Sequence, residues 1–65
     1  MQSETKLQMV QRHVRQGRDT LVRQRAVIER LQVNGFATNQ AEELLAEFQN
    51  MQALHEEHLA RIALS

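Results

Sequence analysis

Apolar residues recur at steps of three and four along two stretches of the chain, with a single break between them. The first seam is Leu7, Val10, Val14, Gly17, Leu21, Gln24, Ile28 and Leu31; the second is Ala41, Leu45, Phe48, Gln52, His55, Leu59 and Ile62. Such spacing is the a/d period of helices that pack side by side. The break is Asn34-Gly35. Glycine accepts the left-handed conformation that closes a helix and lets its last carbonyls be bonded. Phe36 follows, placed to fold back on Leu31. Thr38 or Asn39 is expected to cap the second helix, and Asn39 with Glu42 has capping-box spacing. Glu42 and Glu43 then sit where the helix dipole favours negative charge. The pattern predicts an all-α domain over 1–65, with helix at about 4–33, a turn at 34–38 and helix at about 39–63. So short a connection forces the helices antiparallel, each about 40 Å long.

In an antiparallel pair, facing residues have numbers with a constant sum. Leu31 with Ala41, Ile28 with Leu45, Gln24 with Phe48, Leu21 with Gln52, Gly17 with His55, Val14 with Leu59 and Val10 with Ile62 all give 72 or 73. Sizes complement as well, because the smallest residue meets an imidazole. Gly17 is therefore expected to make room for His55, or for a close helix of a partner. Gln24 and Gln52, polar residues within the seam, are expected to fix register.

The two flanks of the seam differ. One flank, the g edge, carries Val27 with Leu44, Thr20 with Met51 and His13 with His58, with Met9 and Leu54 just beyond. The other, the e edge, carries Arg18 with Glu56, Arg25 with Gln49 and Gln32 with Glu42. A hairpin alone in water would leave the apolar g edge exposed, and such a patch marks an interface. Two hairpins joined through it form a four-helix bundle, most simply about a two-fold axis. A homodimer through Val27, Leu44, Met51 and Leu54 is the expected assembly, with an unidentified protein partner as a further possibility.

Length reinforces this expectation. A chain of 65 residues buries little surface alone, and it has no cysteine to staple it. No apolar run could span a bilayer, and Met1-Gln2-Ser3-Glu4 does not begin a signal peptide, so a cytoplasmic protein is expected. Net charge is zero but divided. Residues 1–33 hold seven cations against three anions, net +4; residues 34–65 hold one cation against five anions, net −4. The halves attract when folded together. The alternative use of the basic half is nucleic-acid binding through Arg12, Arg15, Arg23 and Arg30, but Asp19 and Glu29 interrupt that surface and no aromatic there could stack on bases.

Candidate chemistry is sparse. His55 and His58 are spaced i, i+3, and His13 is expected to face His58. Three imidazoles could ligate a transition metal, but the i, i+4 pair of the zinc-protease motif is absent, and the expected role is packing with no metal or cofactor bound. No nucleophile has a base beside it, no glycine loop could cradle phosphate, and the glutamates fall on outer faces, so the expectation is that the chain is no enzyme and has no catalytic residues.

The residues His13-Val14-Arg15-Gln16-Gly17, Gln24, Ile28, Glu29, Leu31, Ala41-Glu42-Glu43-Leu44-Leu45 and Leu54-His55-Glu56-Glu57-His58-Leu59 resemble a group of short bacterial helical-hairpin proteins of unknown function. That resemblance implies a stand-alone hairpin and brings no activity with it; the function expected from the apolar edge is that of a self-associating structural or interaction module, with a regulatory adaptor as one role. In architecture the chain is similar to the Rop family, whose hairpins dimerise into a four-helix bundle and bind paired RNA loops. The cysteines of that family's core are missing here. Fold alone does not carry the RNA-binding function across.

Overall fold

The computed structural model describes residues 3–64, so Met1, Gln2 and Ser65 of the expected domain lie outside the described residues. The chain forms two helices, α1 (Lys6–Val33) and α2 (Asn39–Leu64), which pack against each other as a hairpin.

Helix α1 begins two residues later than expected, because Thr5 takes the N-cap. The Thr5 side chain accepts the Gln8 N–H at 3.1 Å, and the Gln8 side chain accepts the Thr5 N–H at 2.9 Å. Two otherwise orphaned donors are satisfied reciprocally. The Thr-x-x-Gln spacing announces this box in the sequence. Just outside it, the Glu4 carboxylate receives two bonds from the Arg12 guanidinium, at 2.9 and 3.0 Å. Those bonds hold the Glu4 carboxyl below its ordinary pKa.

The turn follows the expected chemistry. Gly35 has φ 75°, its N–H donates to the Gln32 carbonyl at 3.1 Å, and the Phe36 N–H donates to the Leu31 carbonyl at 2.9 Å. This pair of bonds is the Schellman motif. The accompanying side-chain contact expected of Phe36 is largely absent, since that residue stays 65% exposed. Backbone bonding, not burial of the ring, closes α1. At the start of α2, the Thr38 carbonyl accepts the Glu42 N–H at 2.9 Å, which makes Thr38 the N-cap rather than Asn39.

The molecule measures 47 × 26 × 12 Å across its Cα atoms, a slab one helix thick. Among the described residues, Val10, Val14 and Ile28 form the buried apolar core, joined by Gln52 as the one buried polar residue. A single layer covers only the seam and leaves both broad faces in water; stable domains normally close at least two layers on a core.

Candidate self-association face

Two glutamines tie the helices together, one in each direction. Gln24 on α1 donates its side-chain N–H to the Ala41 carbonyl of α2 at 2.8 Å. Gln52 on α2 donates to the Val14 carbonyl of α1 at 2.9 Å. The second bond is buried, and its amide lies directly against Gly17. A Cβ at Gly17 would overlap the Gln52 Oε1 atom and stand 2.6 Å from Cδ. The Cα–H bond of Gly17 points along that same direction, toward the oxygen, and can act as a weak donor to it. Among the described residues, no conventional hydrogen-bond partner reaches Gln52 Oε1 or the buried Nδ1 of His55.

This arrangement corrects the expected neighbours of Gly17 and His13. The residue filling the space above Gly17 is Gln52, not His55. Gln52 reaches Val14 and Gly17, and the amide of Gln24 bonds the Ala41 carbonyl. The ring that meets His13 is His55, at 5.5 Å between centroids, where His58 was expected. These contacts have residue sums of 65 to 69, below the 72 or 73 that size matching gave, whereas Arg18 meets Glu56 at a sum of 74, as expected. The physical reason is polar satisfaction. A buried amide without a partner costs about 1–3 kcal/mol. Glycine is the position where an amide can lie on a helix backbone while its NH2 reaches a carbonyl. That requirement outweighs the modest gain from matching large with small. Both glutamines bond across the hairpin from within the seam.

The flank expectations fare differently. On the charged edge, Arg18 and Glu56 do pair, at 3.5 Å. Both remain exposed, so the pair contributes little, about 0–1 kcal/mol. On the apolar edge, Leu44 is 40%, Met51 54% and Leu54 63% exposed, while Val27 is half-buried. Midway along this face, a cleft of about 270 Å³ opens between Gly17 and Thr20 of α1 and Phe48, Met51 and His55 of α2. The cleft was not legible beforehand; the combination of a mid-helix glycine with seam glutamines was the available signal.

Of the arginines considered for nucleic acid, Arg12 is engaged by Glu4, while Arg15, Arg23 and Arg30 are exposed. Among the described residues, no group of three or more His, Cys, Asp or Glu side chains could hold a metal ion. Nor is any described helix long and apolar enough to cross a membrane. No family model, no curated protein and no solved structure matches this chain.

Proposed function

We propose that the chain is a self-associating structural or interaction module, whose hairpins pair through the face bearing Val27, Leu44, Met51 and Leu54 to make a four-helix bundle. One observation carries this reading. The molecule is a single layer 12 Å thick, in which Leu44, Met51 and Leu54 stay partly exposed, with half or more of Met51 and Leu54 in water. Packing two such layers supplies the shared core that one lacks. The opposite face carries the Arg18–Glu56 pair and suits solvent. As a bundle of this kind, the module would serve as a small scaffold or regulatory adaptor. An RNA-binding role through α1 has less support, because Arg12 of its four arginines is bonded to Glu4 and Asp19 and Glu29 interrupt the surface that the other three share.

Light scattering at micromolar concentration is expected to return twice the 7.6 kDa chain mass. A mass of one chain under those conditions refutes the proposal.

A further inference from the structure

We propose that the second copy docks turn beside turn, with the two-fold axis along the helices, so that each α1 lies on the partner's α2 and Met51 of the partner subunit enters the cleft at Gly17 and Thr20. This inference rests on the self-association reading and adds to it an orientation and a contact.

Area, charge and shape lead to it. A broad face of 47 × 26 Å is ample for the roughly 800 Å² per partner that a stable interface buries. Charge then chooses between the two ways of stacking one such face on its copy. Helix α1 carries seven cations and two anions, net +5, and α2 carries one cation and five anions, net −4. A two-fold axis across the helices would set α1 on α1 and α2 on α2, like on like. An axis along the helices sets α1 on α2, so that signs alternate around the square and like helices occupy its diagonals. Neighbouring helices lie about 8–10 Å apart and diagonal ones roughly 12–14 Å. Screening in physiological salt decays over about 8 Å, so the adjacent contacts dominate. The effect selects an orientation; the affinity comes from apolar burial.

The chosen orientation brings a second helix antiparallel to α1 at the same height as its own α2. Within one chain, Met51 stands across the cleft from Gly17 and Thr20. The two-fold axis therefore places Met51 of the partner subunit at that height on the open side of the cleft. Methionine, unbranched and 54% exposed here, is suited to fill an irregular gap of this kind.

The chain has no cysteine, so a Val33→Cys variant carries one nitroxide per copy at an exposed site beside the turn. Pulsed electron–electron resonance is expected to find the two labels separated by about the 26 Å width of the molecule, well short of its 47 Å length. An isotope-filtered NOE experiment on mixed labelled and unlabelled chains should join the Met51 methyl to the Thr20 methyl of the other copy. A dimer whose Val33 labels lie near the full molecular length, or whose only intermolecular Met51 contacts are with α2, overturns the orientation while leaving self-association standing. A monomer by mass overturns both.

Discussion

Gly17→Leu is expected to destabilise the protein by about 1–3 kcal/mol, even though leucine favours a helix by roughly 1 kcal/mol over glycine. The cause is the Gln52 amide, which occupies the space any Cβ at position 17 would need. To admit a side chain there, Gln52 must swing away and release the Val14 carbonyl, its 2.9 Å partner. A buried amide would then be left without its bond. Urea denaturation at fixed protein concentration measures the loss. The same logic gives a double-mutant cycle. Gly17→Ala in the parent chain sets a propensity gain against the lost Gln52 bond. In a Gln52→Ala background nothing opposes the gain, so the same substitution should stabilise by up to about 1 kcal/mol. If Gly17→Leu melts higher at unchanged mass, or if the two sites prove additive, the Gly17–Gln52 contact does not hold the register.

Charge placed on the apolar face should have the second large effect. Full burial of such side chains is worth about 1.5–3 kcal/mol each, and Leu44 and Met51, with 40% and 54% of their area still exposed, have roughly half of that left to gain against a partner. The Arg18–Glu56 pair on the other face is exposed on both sides, at 67% and 49% of side-chain area, and such pairs contribute about 0–1 kcal/mol. Leu44→Glu or Met51→Lys would bury an unpaired charge in the proposed bundle. Each is expected to lower the dimer population and, because folding and association are linked, to lower helicity on dilution. Arg18→Glu should leave the mass unchanged. Sedimentation equilibrium with circular dichroism reads both quantities. A monomeric Arg18 variant beside an unaffected Met51 variant would assign the interface to the opposite face.

The fold was legible in the sequence because it rests on local signals. Asn34-Gly35 reads as a helix end because the runs on either side have three-and-four spacing rather than the alternation of strands. The capping box at Thr5 and Gln8 was equally local, and overlooking it placed the start of α1 two residues early. The register was less legible, because it depends on what long side chains do in three dimensions. Size matching set Gly17 against His55, but a glutamine amide needs a carbonyl acceptor and a bare backbone to lie on. Position 17 with Val14 offers both. The Arg18–Glu56 pair followed from heptad position, as did the placing of Thr20 and Met51 together. The central cleft depends on the register itself, and so came into view only with the structure.

Thermal melts across a hundredfold or wider range of protein concentration test most directly whether a second copy covers the apolar face. Linked folding and association require the midpoint to rise with concentration, because mass action favours the paired state. That rise is the predicted result. A cooperative transition at the same temperature throughout, with a monomer mass at both ends of the range, would show that the hairpin is stable as a single layer and contradict the account.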